Sequence, residues 1–214
     1  MAKPLIATET IYEKAIELLD KEGIEGLSAR KLATALQCSP NTLYQQVGKR
    51  DEMISGMLAY YFQNQALNLK DSSSWQESAR HWANALRAVL LRHPNLSKLI
   101  TINQRYVIVD YANQLLKILL HQNFEPEFAL RCTRVLSQQV ISFTLTEIET
   151  PPPAVRRKNR SSQEINFEDL VIRNTKSKTR LKEKLNEEFQ DRPEIFENAI
   201  EFTVLGIEKD KQAK

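Results

Sequence analysis

Glycine is scarce in this chain of 214 residues. The five present, at positions 23, 26, 48, 56 and 206, never group as a phosphate-cradling loop requires. Cysteine is scarcer still: Cys38 and Cys132 fall in separate predicted units, so a disulfide is not expected and a reducing compartment is. The three histidines, His81, His93 and His121, lie on different predicted helices without the short spacings of a metal site. No metal and no cofactor is expected, and no Ser/His/Asp or Cys/His set argues for an enzyme. No apolar run approaches the roughly 20 residues of a membrane span, and Met1-Ala2-Lys3-Pro4 does not open a signal peptide. The expectation is a soluble, cytoplasmic protein with no membrane partner. Alternating strand patterns are missing too, while apolar residues recur at helical period, which makes the fold all-α.

What the chain does have is an unusual placement of charge. Its net charge of +3 is too small to identify a partner, so location carries the argument. From Ser28 to Arg50 there are four cations, Arg30, Lys31, Lys49 and Arg50, and no carboxylate. Carboxylates are dense just before this run (Glu9, Glu13, Glu17, Asp20, Glu22, Glu25) and resume just after it at Asp51 and Glu52.

The same run reads as two short helices joined by Gln37, Cys38 and Ser39. Ser28 is an N-cap, with Leu32, Ala33 and Leu36 gathered on one face behind it. Ser39 caps a second helix with Pro40 at its first position, and Gly48 ends it. Leu43 and Val47 point inward at i and i+4. Asn41, Thr42, Tyr44, Gln45 and Gln46 are left outward, an array of amides, a hydroxyl and a phenol suited to base edges and phosphates. This is the pattern of a helix-turn-helix that binds double-stranded DNA.

Around it, a first helix spans about residues 8–22, with Ile11, Ala15, Leu18 and Leu19 inward. A connecting helix follows at about 50–69, with Met53, Ile54, Met57, Leu58, Tyr61 and Phe62 apolar. Ser74 and Glu77 form a capping box opening a helix to about 93. Shorter helices are expected at about 96–102 and 106–121, and a long one at about 126–149, stopped by Pro151-Pro152-Pro153. Residues 151–166 read as a solvated, flexible loop. A charged helix runs from about 176 to 189, and the last helix from about 192 to 209.

That last helix carries two apolar stripes, Ile195, Ala199 and Phe202 beside Phe196, Ile200, Thr203 and Ile207. A surface helix buries one face, so the second stripe implies a partner. The 126–149 helix is apolar over a similarly broad arc, with Phe128, Cys132, Val135, Leu136, Ile141, Phe143 and Ile148. A four-helix interface from these two helices in a homodimer follows.

The segments Glu22-Gly23-Ile24-Glu25-Gly26, Leu27-Ser28-Ala29-Arg30-Lys31-Leu32-Ala33, Thr42-Leu43-Tyr44, Val47 and Lys49-Arg50 resemble the TetR family of bacterial transcriptional repressors. A weaker likeness continues through Ser74-Trp75-Gln76, Arg87 to Arg92 and Ser142-Phe143-Thr144-Leu145. The resemblance implies an N-terminal three-helix domain, residues 1–50, that binds operator DNA. It further implies a helical-bundle domain for ligand binding and dimerisation, residues 51–214, with the helix at about 50–69 as connector. It assigns base or phosphate contacts to Arg30, Pro40, Asn41, Thr42 and Tyr44, and phosphate anchoring to Arg50, with Lys49 beside it. Ser28, Gln45 and Gln46 complete the candidate DNA-binding set.

There are departures. Gln37 replaces the family's turn glycine, so a left-handed conformation there costs about 1 kcal/mol. Cys38 stands where a small apolar residue packs between the two helices, and is read as a buried thiol. Ile100 and Trp82 stand where tetracycline-binding members have a magnesium-ligating histidine and a drug-contacting asparagine. The candidate pocket, Trp82, Leu86, Leu90, Leu99, Ile102, Asn103 and Tyr106, is therefore expected to be metal-free and to take an apolar small-molecule inducer. An activator or dual regulator would have the same sequence features. A helical scaffold that no longer reads DNA would leave the cationic run unexplained.

Overall fold

A computed structural model describes residues 6–65, 67, 72, 74–100, 106–149 and 192–212, which contain helices and turns but no strand. Helix α1 (Thr8–Glu22) buries Ile11, Ala15, Ile16 and Leu19 on one face, at the helical spacing its sequence prescribes. A single 3₁₀ turn, Gly23–Gly26, leads to α2 (Ala29–Ala35), α3 (Pro40–Val47) and α4 (Arg50–Gln63). Next come α5 (Trp75–Arg92), α6 (Pro94–Ser97), α7 (Val109–His121), α8 (Pro126–Glu149) and α9 (Arg192–Gln212). The described residues cluster into two compact units, one ending at Ile141 and the other beginning at Ser142.

In the first unit, α4 packs tightly on α1. A Cβ on Gly56 would overlap the Tyr12 phenol, so a larger residue there would push that ring aside. Tyr12 and Tyr60 rings meet 5.8 Å apart beside it, and the Tyr60 hydroxyl donates to Glu13 at 2.7 Å. Met57, Leu58, Tyr61 and Phe62 continue the buried face of α4. Tyr61 donates to the carbonyl of Val89 on α5 at 3.0 Å, and Trp82 Nε1 to the carbonyl of Tyr111 on α7 at 2.8 Å. The buried polar tips of these aromatics thus bond to backbone rather than to one another.

Five helix ends differ from expectation. α4 stops at Gln63 instead of about 69. Asn64 Nδ2 donates to the Tyr60 carbonyl at 2.7 Å, and the Tyr111 hydroxyl oxygen lies 2.7 Å from the Phe62 carbonyl and 2.8 Å from that of Gln65. The last carbonyls of the helix are therefore satisfied from outside it. α6 begins at Pro94, a residue suited to a first helical turn, and ends at Ser97, whose hydroxyl donates back to the Leu90 carbonyl at 2.7 Å. Residues 106–108 form a 3₁₀ turn, so α7 starts at Val109 rather than near 106. α9 runs on to Gln212, with Lys209 and Lys211 in a final turn whose dipole favours cations. The start of α8 at Pro126 is as read, and Glu125 caps it by accepting from the amides of Glu127 and Phe128 at 3.0 and 2.8 Å.

In the second unit, α9 buries Phe196, Ile200, Val204 and Ile207 and leaves Phe202 and Leu205 exposed. Phe143, in the last turns of α8, meets the Phe196 ring edge-on at 6.5 Å. The expected loop at 151–166 and the charged helix at 176–189 lie outside the described residues, as do Ile102 and Asn103.

Burial pushes the Tyr61 phenol up to about 12 and raises that of Tyr111 as well. Both stay neutral in the fold, whereas unfolded tyrosine ionises at about 10. Their contribution is complete below that pH and is lost as pH rises toward the folded value. Urea midpoints should fall between about pH 10 and about pH 12, and less steeply in Tyr61→Phe. Tyr111→Phe should lose about 1–2 kcal/mol at neutral pH, because the carbonyls ending α4 lose their donor. An unchanged urea midpoint would show that these carbonyls do not depend on Tyr111.

Candidate nucleic-acid interface

The geometry of this region begins with its caps. Ser28 Oγ accepts from the Lys31 amide at 3.3 Å, and Ser39 Oγ from the Thr42 amide at 3.1 Å. The two serines fix where α2 and α3 start, and so which side chains face inward. Leu32, Ala33, Leu43 and Val47 are buried, locking the two helices together. Between them Gln37 adopts φ +53°, the left-handed conformation for which its side chain is poorly suited. Cys38 is half-buried rather than enclosed, and like Cys132 it is a free thiol.

α3 presents Pro40, Asn41, Tyr44 and Gln45 to solvent, with Tyr44 48% exposed. Thr42 is half-buried, its hydroxyl 2.8 Å from Ser39 Oγ. Arg30 on α2 is exposed, as are Lys49 and Arg50 at the start of α4; Ser28 is half-buried. At the end of α3, Gly48 adopts φ +72°, and an added Cβ would meet the Glu52 carboxylate at 2.4 Å. That carboxylate accepts from the Lys49 amide at 2.7 Å and caps α4. A glycine at 48 is thus required twice, by backbone and by space.

Three side chains are placed differently from the sequence reading. Gln46 does not point outward: its Nε2 donates to the Ile6 carbonyl at 2.8 Å, tying α3 to the segment before α1. Lys31 is paired with Glu22 at 2.6 Å, which partly neutralises one of the four cations; the same contact lowers the Glu22 carboxyl below its usual range. Arg50 Nη1 donates to the Leu27 carbonyl at 3.0 Å, so its guanidinium braces the entry to α2 while its remaining N–H groups stay available. No periodicity in the sequence announces these contacts, which join residues 9 to 40 positions apart.

The candidate pocket residues are dispersed. Trp82, Leu86 and Leu90 are fully buried on α5, Leu99 is half-buried, and Tyr106 is 54% exposed. The only polar atom of Trp82 is already bonded to the Tyr111 carbonyl, so this residue belongs to the packed core. Ile100 is buried. Among the described residues no group of three or more His, Cys, Asp or Glu could hold a metal ion, and no helix is long and apolar enough to cross a membrane.

A family model described as the C-terminal domain of tetracyclin repressor-like proteins matches residues 68–210. An HTH-type transcriptional regulator of Saccharopolyspora erythraea is 37% identical over 92 residues, covering 43% of this chain and 39% of that protein. The chain spans about two-fifths of the length of the first curated relatives it matches. Tetracycline repressor protein class E of Escherichia coli is 28% identical over 149 residues, 68% of this chain and 70% of the repressor. The Streptomyces coelicolor TetR family protein ActR, solved in complex with (S)-DNPA, matches with a TM-score of 0.67 at 21% identity, over 97% of this chain and 100% of that one. The last is a likeness of fold.

The strained turn gives a direct test. Gln37→Gly should stabilise the protein by up to about 1 kcal/mol, since glycine occupies φ +53° without a Cβ penalty. Gln37→Val should destabilise it, because a β-branched residue suits that conformation least. Equal thermal midpoints for the two variants would show that the turn relaxes to negative φ.

Proposed function

The chain belongs to the TetR family of transcriptional regulators, and from that premise we propose that it is a repressor acting as a homodimer on a palindromic operator. In this reading residues 1–50 bind DNA and residues 51–214 bind a small-molecule inducer and the second subunit. Such a regulator works in the cytoplasm, where its operator lies. The observation that carries the reading is the exposed face of α3 with its flanking cations. Asn41, Tyr44 and Gln45 on α3 are exposed, as are Arg30 on α2 and Lys49 and Arg50 at the start of α4. No carboxylate occurs between Ser28 and Arg50. Amides reading base edges and cations neutralising phosphates are the two components of sequence-selective binding.

Two corrections from the geometry sharpen the contact set. Asn41 and Gln45 carry base reading rather than Gln46, whose amide nitrogen is committed to Ile6. Lys49 is the cleaner phosphate contact, since Arg50 also serves the fold through Leu27.

Selection of bound fragments from random DNA should return a two-fold symmetric site with half-sites about one helical turn apart, roughly 34 Å. Lys49→Ala should weaken binding to all sequences alike and reduce the log–log salt slope by about one unit. Asn41→Ala should cost about 1–3 kcal/mol at particular base pairs and change the selected half-site. Recovery of no enriched sequence would refute operator binding.

The homodimer reading is supported by α9, where Phe202 is 73% and Leu205 56% exposed opposite the buried Phe196, Ile200 and Val204. Apolar side chains exposed together on one helix mark an interaction surface. Sedimentation at micromolar concentration should show dimers for the natural sequence and monomers for Phe202→Asp, which would bury an unpaired charge. Monomers in both cases would be fatal to this part of the proposal.

A further inference from the structure

Among the described residues, buried polar groups are satisfied with few exceptions. Tyr61, Tyr111, Trp82 and Ser97 each bond to a named backbone carbonyl. Gln46 Oε1 on α3 and two neighbouring hydroxyls on α8 stand apart. Thr133 and Ser137, 4% and 9% exposed, have no hydrogen-bond partner for Oγ1 and Oγ. They lie at i and i+4, one above the other on the inner side of α8. Around them on that side are Ala129, Leu136 and Val140, all fully buried and apolar. The start of the helix is fixed by ring contacts, with Phe128 stacked on Phe124 at 5.7 Å and Phe124 edge-on to Trp75 of α5 at 5.0 Å.

Two adjacent buried hydroxyls without partners, in an apolar surround, call for a polar atom from outside the protein. We propose that Thr133 and Ser137 form the hydrogen-bonding edge of the small-molecule site. Their ligand class is a neutral, largely apolar compound bearing one carbonyl or hydroxyl group. The inference rests on the ligand-responsive reading above and deepens it, since a purely apolar inducer would leave both hydroxyls unpaired. A hydroxyl both donates and accepts, so a carbonyl or a phenol meets the pair equally well. Among the described residues no Asp, Glu, Lys, Arg or His is fully buried, so an ionised ligand would find no buried counter-charge in them.

Nile red tests this class, being neutral and apolar with a single carbonyl acceptor whose emission reports hydrogen bonding. Titrated without DNA, the natural protein should bind the dye. The Thr133→Val, Ser137→Ala double variant should bind it about tenfold more weakly, with emission shifted to shorter wavelength. The thermal midpoint of the ligand-free double variant should not fall, because the hydroxyls it removes bond to nothing in the free protein. Equal dye affinity and emission in the two proteins would overturn the proposal. So would a lowered midpoint, which would make the hydroxyls structural, or failure of the natural protein to bind the dye. Operator binding measured on the same preparations separates the outcomes: intact DNA binding with unaltered dye binding removes this site and leaves the regulator assignment standing.

Discussion

Helix α4 has to do two incompatible-looking things: bury one side in the first unit and deliver a charged, exposed end to a surface. The contact that reconciles them is its close crossing with α1 at Gly56, where the Tyr12 hydroxyl occupies the space a side chain would fill. From that crossing the helix is held at each end by groups outside itself. Glu52 and the Gly48 turn set its first residue, Arg50 reaches back to Leu27, and Tyr111 receives its last carbonyls. A helix held at its middle and at both ends has little freedom to fray.

α4 is the covalent link between the helix-turn-helix and the later helices, but it is not the sole contact. The end of α1 is also fastened to the α5–α6 junction. His93 Nδ1 lies 2.5 Å from Asp20 Oδ2, and Asn95 Nδ2 donates to the Leu19 carbonyl at 3.1 Å. His93 also packs edge-on against Tyr61 of α4, at 5.0 Å between ring centres. The pair is partly exposed, so its direct stabilisation is small. Its position matters more: a shift of α6 would reach α1 and α4 together, and the helix-turn-helix rests on both.

The proposed DNA-binding face shows why a charge pattern read from sequence overstates what is free. Four cations lie between residues 28 and 50, yet one is paired with Glu22 and another braces a backbone carbonyl. An ion pair of this kind holds the cation in place and lowers its pull on phosphate until salt or DNA competes for it. Gln46 is a parallel case, an amide on the outward arc of α3 that a neighbouring segment captures.

Elements whose cause is local are legible in the amino-acid order alone. Caps at Ser28, Ser39 and Ser74, Pro40 at a first turn, Gly48 at a last one and the 3.6-residue spacing of Ile11, Ala15 and Leu19 act within a few residues, so α1, α2, α3 and α8 have the limits they announce. The family likeness and the exposure of Asn41, Tyr44 and Gln45 were legible for the same reason. Features that depend on groups distant in the chain emerge from packing: the early stop of α4, set by Tyr111 from 46 residues away or more; the inward turn of Gln46; and the bracing role of Arg50. The place of Trp82 in the core is another, because only packing shows that its indole N–H is already satisfied. The unpartnered hydroxyls of Thr133 and Ser137 belong to the same class, since a missing hydrogen bond is visible only when every neighbour is in place.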